Sequence, residues 1–163
     1  MPSKLLTIEQ VLTLLAENPL SIAELTVDLT TAQLHAAPSP DEWSLNDVLA
    51  HLRACSDVWG NYIIKIIAEE RPTWRDMNPR VWIEKTNYRE LDFKPVFRAY
   101  TKQRADLLAV LEPLPPKSWS RAAIVTGMIP GQVFERTVLY YADWLASHER
   151  AHVKHIQRIV KTI

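Results

Sequence analysis

Three glycines in 163 residues leave this chain few places for the left-handed backbone that a strand-and-turn architecture uses at its corners. Apolar residues instead recur at intervals of three and four over long stretches, the period of one helical face. The expectation is an all-α fold in which four long helices pack as a four-helix bundle. A chain of 163 residues buries one ordinary hydrophobic core and is short for two, so 1–163 is read as a single domain.

The first helix is expected from about Thr7 to Thr30, on Ile8, Val11, Leu12, Leu15, Ile22, Leu25 and Leu29. Pro19 falls inside it, so the helix either kinks there or restarts with Pro19 in its first turn. A proline-bearing loop ends at Ser44, and Asp47 three residues later gives the pattern of a capping box. The second helix should run from there to about Glu70 on Val48, Leu52, Cys55, Trp59, Tyr62 and Ile66, with His51 at the edge of the stripe.

From Arg71 to Leu91 the connection is long, and Asn78-Pro79 reads as the cap and first position of a short helix over Val81, Trp82 and Ile83. Such a length permits a crossover that leaves the third helix parallel to the second. That helix, about Asp92 to Leu111, sets Phe93, Phe97, Tyr100, Arg104, Leu107 and Leu111 on one face. After Pro113, Pro115 and Pro116 an irregular stretch precedes the fourth helix, expected from about Gln132 to near the C-terminus.

Composition removes several function classes. Nineteen basic and nineteen acidic residues cancel and form no Lys/Arg block, which argues against nucleic acid as a partner. Met1 to Leu6 lacks the pattern of a secretory leader, and apolar runs such as 62–67 are broken by charges, there Lys65, so no membrane span is expected. Cys55 is the only cysteine, which rules out an internal disulfide and fits the reducing cytoplasm.

The chemistry should lie on the fourth helix. Its stripe reads Phe134, Val138, Tyr141, Leu145, His148, His152, His155 and Ile159, with three consecutive histidines at core positions. Residues four apart share a helical face, so His148 and His152 can point at one ion. A third ligand must come from another helix or from His155, and His51 is the natural candidate. Three imidazoles leave coordination positions open for water or substrate, as catalytic sites require. The donor type suits zinc or nickel, and iron is compatible.

Other polar residues carry weaker signals. Arg104, in an otherwise apolar stripe, either contacts an anionic substrate group, pairs with a buried acid, or carries its head out to solvent. Glu149 points about a hundred degrees away from His148 and reads as a solvated helix charge. Cys55 reads as a small buried hydrophobe, Asp47 as a capping residue, and His35 as a loop residue outside the site. Trp59, Tyr141 and Trp144 are candidates to line a cavity beside the metal.

Taken in order, Asp41-Glu42-Trp43-Ser44 opening a helix, His51-Leu52 further along it, and His148-Glu149-Arg150-Ala151-His152 on the final helix form a pattern that resembles the DinB-like superfamily. That superfamily includes bacterial transferases using small thiols such as bacillithiol and mycothiol. The resemblance spans essentially the whole chain. It implies an up-down-down-up four-helix bundle, a homodimer, and a metal bound by three histidines, which map onto His51, His148 and His152. Family members often carry Gln three residues after the last metal histidine, where this chain has His155. The implied function is a metal-dependent enzyme acting on a small electrophile, as a thiol transferase or as a hydrolase. A non-catalytic, metal-binding stress-response homodimer is the alternative from another class.

Overall fold

Side-chain caps set where most of the helices begin. Thr7 accepts from the Gln10 backbone N–H while the Gln10 side chain accepts from Thr7, and the same reciprocal pair recurs at Thr30/Gln33 and Ser44/Asp47. In the computed structural model, which describes residues 4–163, these caps open α1 (Ile8–Thr26), α2 (Thr31–His35) and α3 (Leu45–Cys55). Residues 1–3, part of the stretch read for a leader, lie outside the described residues.

Beyond α3 the chain stays helical through a π-type turn, Ser56–Gly60, into α4 (Asn61–Ala68). The expected second helix thus ends close to its predicted limit, with one wide turn in its middle. Such turns insert a residue and rotate the rest of the helix about its axis, and Trp59 lies within this one. The long connection contains β1 (Thr73–Arg75) and α5 (Pro79–Ile83); α5 is capped by the Asn78 side chain on the Arg80 N–H and has Pro79 in its first turn, as its sequence indicates. The third long helix is α6 (Phe93–Leu111), and its buried residues Phe93, Val96, Tyr100, Arg104, Leu107 and Leu111 follow the expected stripe except that Val96 is buried and Phe97 only partly so.

The all-α expectation is corrected at the far end of the molecule. β2 (Ala122–Thr126) pairs antiparallel with β3 (Val133–Thr137) and parallel with β1, in the order β1-β2-β3. The fourth long helix, α7 (Val138–Val160), therefore starts six residues later than the Gln132 expected. Phe134 fits the helical stripe in sequence because a spacing of four puts two residues on one side of a helix and also on one face of a strand. What decides is the neighbourhood. Val133, Phe134 and Thr137 favour extended backbone, a complementary strand lies nearby, and Gly127 (φ 89) and Gly131 (φ 77) supply the turn between β2 and β3. Thr137 then caps α7 by accepting from the Tyr140 N–H at 3.0 Å.

The long helices pack as a bundle, with α1 against α6 and α7, and α3 against α6 and α7. One apolar cluster gathers Leu15, Ile63, Leu111, Val125 and Leu145; a second gathers Ile22, Leu49, Leu52, Tyr100 and Ile156. Each large aliphatic side chain fully buried there contributes roughly 1.5–3 kcal/mol.

Pro19 sits inside α1 without ending it. Lacking an N–H, it cannot donate to the carbonyl four residues earlier, so Leu15 O has no helical partner. Arg104 fills the gap from α6, its Nη1 donating to Leu15 O at 3.0 Å. No helix of the described residues is long and apolar enough to cross a membrane.

Candidate metal centre

Between the two apolar clusters lies a buried polar knot that fixes the rotation of α7. Glu149 is fully buried, and Arg104 is 3% exposed. Arg104 Nη1 donates to Glu149 Oε1 at 2.7 Å and Nη2 to Oε2; Tyr100 Oη donates to Oε2 at 2.8 Å, and Asn18 Nδ2 to Oε1 at 3.3 Å. The carboxylate thus ties α1, α6 and α7 together. Burial works to lower the Arg104 pKa, but Glu149 and Tyr100 raise it and prevail, so the guanidinium stays charged. Burial and then Glu149 push the Tyr100 hydroxyl well above its ordinary range, leaving it a donor.

Two expectations are settled by this knot. Glu149, read as a solvated charge, is a core residue. Of the roles open to Arg104, pairing with a buried acid is the one observed, with Nη1 and Nη2 on Glu149 and Nη1 also on Leu15 O. The buried face of α7 runs Val138, Tyr141, Leu145, Glu149, Val153, Ile156 and Ile159, so past Leu145 it is turned one residue away from the histidine stripe. His148 and His152 accordingly flank the core half-buried, facing α3.

His51 meets them there. It is 4% exposed on α3, and its Nε2 lies 3.3 Å from His148 Nε2. Ring centroids are 5.1 Å apart for His51–His148, 5.0 Å for His51–His152 and 4.5 Å for His148–His152. One ring nitrogen from each of the three lies within 4.8 Å of the others. His155 is outside this group; its ring is 5.8 Å from His152 and half-buried.

Burial holds all three imidazoles neutral. His51 is lowered to about 3 by burial and then by His152 and His148; His152 is lowered to about 4 by burial and then by His148; His148 is lowered by burial. Neutral rings keep a lone pair for a cation. The Nδ1 atoms of His148 and His152 are buried and without a hydrogen-bond partner. Three neutral nitrogen donors converging beside buried, unpartnered polar atoms fit a divalent cation of the borderline class.

Aromatic rings wall the cluster. Trp43, from the loop before α3, stacks on His152 at 6.4 Å and tilts on His51 at 5.1 Å. Trp59, within the π-type turn, meets His148 edge-on at 5.1 Å and Trp144 at 5.8 Å. Trp59 and Trp144 also line a cavity of about 240 Å³, together with Tyr141; the three histidines are not among its lining residues. A larger cleft of about 570 Å³ lies along α6 and touches none of the histidines. Its Asp57 carboxylate is held by Trp82 Nε1, Tyr88 Oη and Gln103 Nε2.

Sequence reasoning misses Arg80. Its guanidinium carbon lies 5.1 Å from the Trp43 ring centroid, and its charge helps depress the pKa of each clustered histidine. It is an exposed residue, placed beside Trp43 by the short helix that Asn78 caps. Cys55 is fully buried, 3.6 Å from His51 Nε2, with its thiol pushed up by burial and then by Glu149; it behaves as a packed thiol. Asp47 caps α3, and His35 pairs with Asp92 at 3.5 Å, remote from the cluster.

Comparison with known proteins agrees with this architecture. Solved structures share it, YfiT and an isomerase among them. YfiT from Bacillus subtilis, described as a probable metal-dependent hydrolase with an unusual four-helix bundle topology, superposes with a TM-score of 0.80 over 99% of this chain and 91% of its own, at 16% identity. A mycothiol-dependent maleylpyruvate isomerase superposes with a TM-score of 0.67 over 91% of this chain and 60% of its own, at 14% identity. No curated protein matches the chain in sequence. The family model of the DinB superfamily matches residues 14–156, a span holding most of each long helix and all three clustered histidines, and the chain belongs to that superfamily.

Proposed function

We propose that His51, His148 and His152 hold one divalent cation, zinc or nickel with iron also compatible, and that the protein is a metal-dependent enzyme acting on a small electrophile. The convergence of three neutral imidazoles from α3 and α7 carries this reading. A cation held by three imidazoles supplies Lewis acidity, lowering the pKa of a thiol or a water placed beside it. The chain's own residues do the rest. The Arg104–Glu149 knot fixes the azimuth of α7, so His148 and His152 are presented toward His51 without a search. Trp43 and Trp59 keep water from the ring faces. Arg80, which has no ion-pair partner within 4.0 Å among the described residues, favours an anionic group at the site.

Transfer of a low-molecular-weight thiol and hydrolysis both fit this arrangement; of the two structural relatives, one is named a probable metal-dependent hydrolase and the other a mycothiol-dependent isomerase. The separating assay follows turnover of small electrophiles with and without added thiols. Transfer consumes thiol stoichiometrically, whereas hydrolysis proceeds without it. His148→Ala should abolish either reaction with little change in melting temperature; a large loss of stability and no turnover in the wild type would favour a structural metal instead.

The same reading takes the bundle as a single up-down-down-up domain that forms a homodimer in the cytoplasm. Support for the topology comes from paired contacts. Leu6 N meets Asp143 and Asn18 meets Glu149, as for parallel α1 and α7. Asn46 meets the Leu91 carbonyl and Asp57 meets Gln103, as for parallel α3 and α6.

A further inference from the structure

The cavity beside Trp59 carries two opposite charges that do not pair. Asp76, just past β1, and Arg136, on β3, both line its 240 Å³, with Trp59, Tyr140, Tyr141 and Trp144 around them. Among the described residues neither has an ion-pair partner within 4.0 Å. The sheet explains why they stay apart. β2 lies between β1 and β3, which separates those strands by roughly 10 Å, two strand spacings, and Arg136 stands opposite Ala123 whereas Asp76 follows Arg75, which stands opposite Thr126, so the two residues are also offset along the strands.

Arg136 is nevertheless held in place. Its guanidinium carbon sits 4.6 Å from the Phe134 ring centroid and 4.3 Å from that of Tyr140, its Nη2 reaches Met128 Sδ at 3.8 Å, and its Nε is buried with no acceptor. Stacking fixes the plane of the guanidinium and leaves its N–H edge to bind a carboxylate. Asp76 is anchored by its own N–H, which donates to Thr126 O at 2.7 Å. Met77, Met128 and Trp144, exposed by 39%, 43% and 48%, form an apolar rim. Fixed, unpaired charges of both signs within an aromatic wall are the features of a binding pocket with convergent polar groups. A purely anionic ligand would be repelled by Asp76 and a purely cationic one by Arg136.

We propose that this cavity binds the zwitterionic end of a small molecule of the α-amino-acid class, with its carboxylate on Arg136, its ammonium on Asp76 and its apolar part against the aromatic wall. Trp59, which touches both the cavity and His148, then sets the distance between that end and the reacting end. The inference deepens the proposed reaction centre, and rests on that reading only for this last point.

Three probes test it: L-phenylalanine, 3-phenylpropionate, which lacks the ammonium, and phenethylamine, which lacks the carboxylate. Binding is read from intrinsic tryptophan fluorescence, to which Trp59 and Trp144 contribute from the cavity wall, in EDTA-treated protein and after zinc addition. Phenylalanine should saturate at least tenfold more tightly than either analogue. Arg136→Met should erase its advantage over phenethylamine and Asp76→Asn its advantage over 3-phenylpropionate, while Arg136→Lys keeps part of it; circular dichroism confirms that each variant folds. Equal binding of the three probes by the wild type, no saturation by any of them, or unchanged preferences in folded variants would overturn the proposal. Discriminating binding by protein that takes up no zinc would uphold the cavity and remove the metal reading; zinc uptake without discrimination would do the reverse.

Discussion

Replacing Glu149 by Met leaves the Arg104 guanidinium, 3% exposed, without a counter-charge in the middle of the bundle. Breaking one side of a buried pair costs about 3–5 kcal/mol, a large share of the ~5–15 kcal/mol that holds a domain folded. At ~2–4 °C per kcal/mol for a chain of this size, the melting temperature should fall by roughly 6–20 °C. Arg104→Met should cost a similar amount, since it strands the carboxylate and the Leu15 carbonyl freed by Pro19. The double variant Arg104→Met/Glu149→Met removes both charges. What remains unmatched is the Tyr100 hydroxyl and the Leu15 carbonyl, because Asn18 still donates to Ala146 O at 3.2 Å. Each such orphan costs about 1–3 kcal/mol, so the double variant should lose only about as much as one single, and the cycle should show a coupling of at least ~2 kcal/mol. Urea unfolding of the four proteins, with slopes compared so that only midpoint shifts are counted, measures it. Strict additivity, or singles below ~1 kcal/mol, would refute the claim that this ion pair organises the bundle.

Other expectations come from the same geometry. In metal-free protein, His51 is held at about 3 and His152 at about 4, below the unfolded value near 6.5, so the unfolded chain binds more protons between those limits. Stability is therefore fully present above pH ~6.5 and falls as pH drops toward the folded values, by up to ~1.4 kcal/mol per pH unit for each histidine; urea midpoints between pH 7 and 5 measure it, and His51→Ala should flatten the curve. Gly127→Ala should weaken the turn between β2 and β3 by about 1 kcal/mol, because its φ of 89 disfavours a side chain and a Cβ there would lie 2.7 Å from Arg75 Cγ. Thermal melts check it, with no effect expected on metal uptake.

Sequence periodicity locates the long helices because caps and apolar spacing agree there; Ser44/Asp47 and Asn78-Pro79 mark their helix starts to the residue. It misses the sheet because Phe134 and Val138 satisfy a helical and a strand spacing alike, and only a partner strand elsewhere in the chain decides between them. On α7 the histidines are the conspicuous series, while a second series, Leu145, Glu149, Val153 and Ile156, is the buried one. The signal for Glu149 is present in two halves. One acid on an apolar α7 face and one arginine, Arg104, on an apolar α6 face are charges that burial forces to find each other. His148, His152 and His51 come together because α3 and α7 pack at that level, a tertiary fact to which His-x-x-x-His spacing contributes only two of the three rings. The roles of Trp43, Arg80 and the Asp76–Arg136 cavity are not legible in sequence, since each rests on segments that only the folded connection brings near α7.

X-ray absorption at the zinc edge, on untagged protein loaded with one equivalent of zinc, tests the metal centre most directly. One ion per chain with three nitrogen neighbours at about 2.0–2.1 Å is expected, with loss of binding in each of His51→Ala, His148→Ala and His152→Ala. A protein that takes up no metal, or a first shell of sulfur at about 2.3 Å pointing to Cys55, would contradict it.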